Sequence, residues 1–176
     1  MYRFLSAPSH TIMHTECREQ LPTLPAADRA DYLRLAAASP RRRHPKILHA
    51  PGDEFNRIIN VMLHDSYMQP HHHPGPEKIE HIHLLEGKVA VIVFDERGAI
   101  IRIAPLVREG GDSIAVPAYT WHTFVVLTDH AITYETMMGR YAPSSWKGFA
   151  GWAPAEGSPT SPAYLQTLKD AALTRT

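Results

Sequence analysis

Residues 69–87 read QPHHHPGPEKIEHIHLLEG, and the alternation inside this stretch decides the fold. In a strand successive side chains point to opposite faces, so His71 and His73 share one face while His72 takes the other. Two imidazoles on one face, at a strand end, can bind one ion without distorting the backbone. The sequence His-Pro-Gly-Pro at 73–76 is turn chemistry. Beyond it Glu80 opens a second strand, EHIHLL, which can carry a carboxylate back beside the two imidazoles. A fourth candidate ligand, His122, lies far along the chain in GGDSIAVPAYTWHTF. Imidazole and carboxylate together suit one divalent transition ion: Fe, Mn, Ni, Co or Zn.

Working outward, the same texture of short strands between turns runs from about residue 47 to 137. The expected strands are 55–63, 66–73, 80–85, 88–95, 100–107, 113–116, 121–127 and 132–137, with turns at Glu86-Gly87, Glu96-Arg97-Gly98, Gly110-Gly111-Asp112 and Asp129-His130. No helix interrupts them, which predicts an all-β antiparallel sandwich or small barrel. Ahead of it, Ala26–Ser39 has helical composition and stops at Pro40. Behind it, the Pro-, Gly- and Trp-rich run from 142 to 162 predicts an irregular cover, then a short helix over about 162–173. The expected organisation is an irregular arm over 1–25, a barrel over 26–145 with its leading helix at 26–38, and a tail over 146–176.

Composition narrows the function classes. Lys+Arg and Asp+Glu both count 18 in 176 residues, so the chain lacks the basic excess expected of a nucleic-acid binder. No apolar run approaches the roughly 20 residues that cross a bilayer, and MYRFLSAPSHTIMH breaks too early for a signal-peptide core. A single cysteine, Cys17, predicts no internal disulfide and a cytoplasmic setting. No phosphate-binding loop, dinucleotide fingerprint or nucleophile elbow is present.

The motifs His71-x-His73-x6-Glu80-x6-Gly87 and Gly111-x5-Pro117-x4-His122 resemble the two metal-binding motifs of the cupin superfamily. A longer run of anchors resembles the WbuC-like cupin metalloproteins: SPRRR at 39–43, SYMQPHHHP at 66–74, GKVAVIVFDERG at 87–98, VPAYTWHTFVVL at 116–127 and KGFAGWAPAEGSP at 147–159. The resemblance implies a cupin-type β-barrel holding one metal through His71, His73, Glu80 and His122. It also implies a homodimer, and a place among enzymes or binding proteins of bacterial surface polysaccharide synthesis. The chain departs from the superfamily pattern in four places. Asp65 stands where a Gly precedes the first His, and Tyr119 and Val126 replace a Gly and an Asn. The gap between the second His and the Glu is six residues. Glu77 would give the shorter, usual gap, but Glu80 begins a strand whereas Glu77 sits in the turn.

Further candidates surround the expected metal. Phe55, Arg57, Ile59, Val61 and Leu63 alternate onto one strand face, read here as the inner one. There Arg57 either anchors an anionic ligand or pairs with Glu135. From the basic run 41–43, Arg43 is a second anion-binding candidate; the bland alternative is a solvated helix end. Tyr119 is a candidate to stack on substrate, whereas Trp121 should face away from His122. Tyr67 and Glu135, with His64 as a third, are the candidate acid–base residues. Two functions remain open: a metal-dependent oxygenase, isomerase or lyase acting on a small polar or anionic molecule, such as a sugar or sugar nucleotide, or a non-catalytic ligand-binding or sensor protein.

Overall fold

The computed structural model describes residues 21–174. The expected arm therefore lies outside the described residues up to position 20, as does Cys17. Helix α1 (Ala26–Ala38) leads into ten strands: β1 (Arg43–Ile47), β2 (Phe55–Leu63), β3 (His71–His72), β4 (Glu80–Glu86), β5 (Val89–Phe94), β6 (Ile100–Leu106), β7 (Ser113–Val116), β8 (His122–Val126), β9 (His130–Met138) and β10 (Gly148–Phe149). Helix α2 (Ser161–Leu173) follows. The strands form two antiparallel five-stranded sheets, ordered β1-β2-β9-β4-β7 and β10-β3-β8-β5-β6. Leaving out the edge strands β1 and β10, the eight that remain cross between sheets at every connection but β5–β6, in the order of two nested Greek keys, the jelly roll that cupins share.

Between the sheets lies an apolar plug: Met62, Ile82 and Leu84 from one side meet Val91, Phe124 and Val126 from the other. The same inward rows turn polar toward the far end. On β4 the row runs Leu84, Ile82, Glu80; on β8 it runs Val126, Phe124, His122. One end of the barrel is thus sealed by hydrocarbon and the other is lined with donors, all of it dictated by period-two alternation.

Each sheet is also covered on its outer face by a helix. Ala36 of α1 packs against Ile59, Val61 and Ile132, and Leu165, Leu168 and Ala172 of α2 pack against Ala90, Ile92 and Val125. This double burial is why β5 reads as an unbroken apolar run, VAVIVF. The anchor between α1 and the barrel is ionic as well. Arg29 Nε donates to Glu86 Oε2 at 2.7 Å, and that bond, more than the bond from His130, holds the Glu86 carboxyl down to about 2. The turn after β4 needs Gly87: its φ is +78°, and a Cβ there would sit 2.4 Å from the His130 carbonyl oxygen.

Three expectations change. Residues 66–70 form no strand, so pairing begins only at His71. The basic run opens an unforeseen strand, β1, paired with β2. The tail is not wholly irregular, since β10 adds to the sheet edge beside β3. Gly148 of β10 sits so close to His72 Nε2 (2.4 Å from an added Cβ) that any larger residue would have to displace the His72 ring.

Candidate metal centre

The strand parity holds. His71 and His73 are buried, His72 faces the other way against Trp121 and Tyr119, and His71 pairs across β3–β8 with His122. Glu80 starts β4 on the inner face. The ligand atoms of His71, His73, Glu80 and His122 all lie within 4.8 Å of one another, and all four residues are buried. Glu77, in the turn, is exposed and outside this group.

The hydrogen bonds behind the rings fix their tautomers. Nδ1 of His71 meets the Gln69 carbonyl at 3.0 Å, Nδ1 of His73 the Trp146 carbonyl at 2.8 Å, and Nδ1 of His122 the Thr120 carbonyl at 2.8 Å. A carbonyl accepts only, so each Nδ1 carries the proton and each Nε2 presents its lone pair inward. Nε2 of His71 and of His73 are buried with no hydrogen-bond partner. Nε2 of His122 lies 2.9 Å from Glu80 Oε2, and that of His73 lies 3.6 Å from the same oxygen. Lone pairs and a carboxylate converging in a dry space repel one another unless a cation lies among them. The backbone carbonyls that orient the rings are the outer shell a metal site uses. The donor set fits a first-row divalent ion.

The electrostatics agree with that geometry. Burial alone would raise the Glu80 carboxyl, but the His122 and His73 imidazoles beside it outweigh that and hold the pKa well below its ordinary value. Burial, then the charge of Lys147, keeps His71 well below its usual value and so neutral. Neutral imidazole and ionised carboxylate are the ligand forms a metal needs.

Of the four donors, Glu80 lines a cavity of about 260 Å³, whose wall is Pro45, Ile47, Ile58 and Met137 on its apolar side and Asn56, Glu135 and Lys147 beside Glu80 on its polar side. Glu135 is buried on β9 and accepts from Thr133 Oγ1 at 2.6 Å and Asn60 Nδ2 at 3.3 Å. Burial first, and the nearby Glu80 charge second, push its pKa up to about 7. Lys147 hangs from the tail segment ahead of β10; burial lowers its pKa against the opposing pull of Glu80 and Glu135. Sequence reasoning missed Lys147 because the tail was read as a cover. The available signal was a lone lysine between Trp146 and Gly148 in an otherwise uncharged stretch.

The raised pKa of Glu135 has a measurable consequence in metal-free protein. The native carboxyl keeps a proton that the unfolded chain releases near its ordinary pKa of about 4.3. The native state therefore binds more protons across that window, and stability falls as pH rises from about 4 to about 7. Urea melts of chelator-treated protein should show this decline, and Glu135→Gln should flatten it. An undiminished slope in the variant would assign the effect elsewhere.

The other candidate residues are not brought to the centre. Arg57 lies on the outer face of β2 and is exposed; it donates to the Leu48 carbonyl at 3.2 Å and sits over the Phe55 ring. The row Ile59–Val61 is buried, as its apolar character predicts, but under α1. The inner row is Asn56, Ile58, Asn60 and Met62, so Arg57 neither lines the cavity as a ligand anchor nor pairs with Glu135. Arg43 is buried in an ion pair with Glu156, with a further bond to the Tyr67 carbonyl at 2.8 Å. Tyr67 packs beneath α2, its hydroxyl donating to the Pro154 carbonyl at 2.7 Å, and burial raises its pKa. It belongs to the outer layer because pairing starts after it, at His71. Tyr119 is more than half exposed with φ +61°, the left-handed conformation for which the superfamily pattern has Gly at this position. Trp121 faces outward, as expected, against His72 and Trp152.

A jelly-roll barrel whose open end gathers three imidazoles and one carboxylate has the cupin-type fold and a centre able to hold a metal ion. The sequence is similar over residues 26–106 to a family described as a domain of unknown function (DUF6016). No curated protein matches it. Similar solved structures include an HTH_3 family transcriptional regulator from Vibrio cholerae (20% identity, 57% of this chain and 51% of that one, TM-score 0.43). Others are the cupin domain of Schizosaccharomyces pombe Cnp3 (15% identity, 56% and 65%, TM-score 0.44) and KdgF from Halomonas sp. (19% identity, 60% and 86%, TM-score 0.46). The chain thus spans about half of the first of these and under two thirds of the second. These likenesses concern the fold alone. Among the described residues, no helix is long and apolar enough to cross a membrane.

Proposed function

We propose that the protein is a metal-dependent enzyme that acts on a small anionic or polyhydroxylated molecule held in the cavity beside His71, His73, Glu80 and His122. The observation that carries this reading is Glu135. A binding or sensor protein needs only the donors and a closed cavity. An enzyme also needs a group that exchanges a proton near neutral pH, and Glu135, raised to about 7, opens onto the same cavity. When bound, the metal supplies Lewis-acid polarisation, or oxygen activation if it is iron. Thr133 and Asn60 hold Glu135 in place, while Ile58 and Met137 give that side of the cavity an apolar wall. At about 260 Å³ the space lies just below the usual range for ligand pockets, roughly 300–1,000 Å³. A single sugar or small acid fits it better than a sugar nucleotide.

The resemblance to WbuC-like cupins supports a role in surface polysaccharide synthesis as a homodimer, and the single cysteine supports a cytoplasmic setting. The test begins with protein purified without an affinity tag or added metal. About one equivalent of a first-row metal per chain is expected. Turnover of a panel of monosaccharides and sugar acids should then fall by roughly 10²–10⁴ in Glu135→Gln with metal content unchanged. Metal-free wild type, or unchanged turnover in the variant, contradicts the reading. Saturable binding with no turnover of any compound would return the protein to the sensor class.

A further inference from the structure

Lys147 is the cavity's unassigned charge. Among the described residues no hydrogen bond or ion pair engages its ammonium; Glu80 and Glu135 attract it, and Arg43 and Arg41 oppose them more weakly. The other cations nearby are committed. Arg43 is paired with Glu156, and Lys78 lies over the Trp146 ring and donates to the Ser145 carbonyl at 3.3 Å. With a divalent ion among three neutral imidazoles, Glu80 cancels one of its charges and Glu135 at most the other. The charge of Lys147 is left over. A surplus cation on a half-buried side chain makes the site complementary to an anion.

Asn56 adds a second requirement. Its Nδ2 donates to the carbonyls of Gly139 and Met137, which fixes the amide orientation. Oδ1 is left buried in the cavity lining with no donor. A ligand that supplies a hydroxyl satisfies it. The apolar side, Ile47, Ile58 and Met137, suits a hydrocarbon segment.

We infer that the cavity takes a small hydroxy-carboxylate, with the carboxylate on Lys147 and a hydroxyl donating to Asn56. For its charge surplus the inference rests on the metal reading above. A phosphate dianion fits less well, because it would bring two charges to one ammonium in a cavity that already holds two carboxylates.

The probe is lactate, with 1,2-propanediol as its neutral counterpart, titrated calorimetrically into protein carrying the metal it holds on purification. Lactate should bind and the diol should not compete. Lys147→Met should weaken lactate by roughly tenfold or more, and Lys147→Arg should restore most of the loss, with metal content constant throughout. Undetectable lactate binding by wild type, equal binding by Lys147→Met, or equal binding of the diol or of inorganic phosphate would overturn the inference. So would loss of metal together with lactate in Lys147→Met, since Lys147 would then act through the metal centre. Wild type without metal ends the reading of the preceding subsection and the charge surplus with it, whereas metal-loaded wild type that does not bind lactate ends this inference alone.

Discussion

Metal-loaded wild type is expected to melt roughly 5–15 °C above chelator-treated protein, and Glu80→Gln and His122→Ala should lose that difference. The scale follows from mass action: a ligand that binds only the native state adds about 2.7 kcal/mol at a hundredfold excess over its Kd and about 4.1 kcal/mol at a thousandfold. For a chain of this size each kcal/mol moves Tm by about 2–4 °C. The donors cannot form before the fold does, because His71 and His73 reach His122 only through the β3–β8 pairing, and Glu80 arrives on the other sheet. Binding free energy is therefore folding free energy here. Losing a direct ligand should exceed the 10–100-fold loss of affinity typical of an outer-shell change. Glu77→Gln should keep the full shift, since Glu77 is exposed in the turn. If Glu77→Gln lost the shift while Glu80→Gln retained it, the acidic ligand would be misassigned.

The ligand set was legible in sequence because each step was local. Period two put His71 and His73 together, the Pro-Gly-Pro turn returned Glu80, and parity on β8 separated His122 from Trp121. The barrel was legible for the same reason, since its strands are short and each is closed by turn residues. Arg57 failed because parity names two faces without saying which is inside. In a sheet covered on both sides, the row Ile59–Val61 looks as core-like as the row Ile58–Asn60. Only tertiary packing against α1 tells them apart. Tyr67 failed because adjacency to His71 in sequence means nothing until a strand begins. Lys147 failed because a tail segment that crosses the open end has no period to read. Tyr119 carried a readable clue: a Tyr where the pattern has Gly marks a left-handed residue, whose side chain then points to solvent and His72 rather than into the cavity.

Glu156→Ala should cost about 3 kcal/mol of stability, and Arg43→Met combined with Glu156→Leu should cost far less. Arg43 is nearly inaccessible, with a side chain 3% exposed, whereas that of Glu156 is 26% exposed. Removing the carboxylate strands a buried guanidinium, a change that typically costs about 3–5 kcal/mol. The lower end applies because water reaches the Glu156 side and the Tyr67 carbonyl still accepts from Arg43. Replacing both members removes the stranded charge, and apolar residues in place of a buried pair are often neutral or stabilising. Burial also lowers the Arg43 pKa, opposed by Glu156, so the pair and not the guanidinium alone is at home in this position. Urea melts of the single and double variants give the coupling directly. Lactate affinity and metal content should be unchanged in the double variant, because the pair fastens β1 to the tail and does not face the cavity. A double variant that folds as well as wild type but binds lactate much more weakly would return Arg43 to the ligand site.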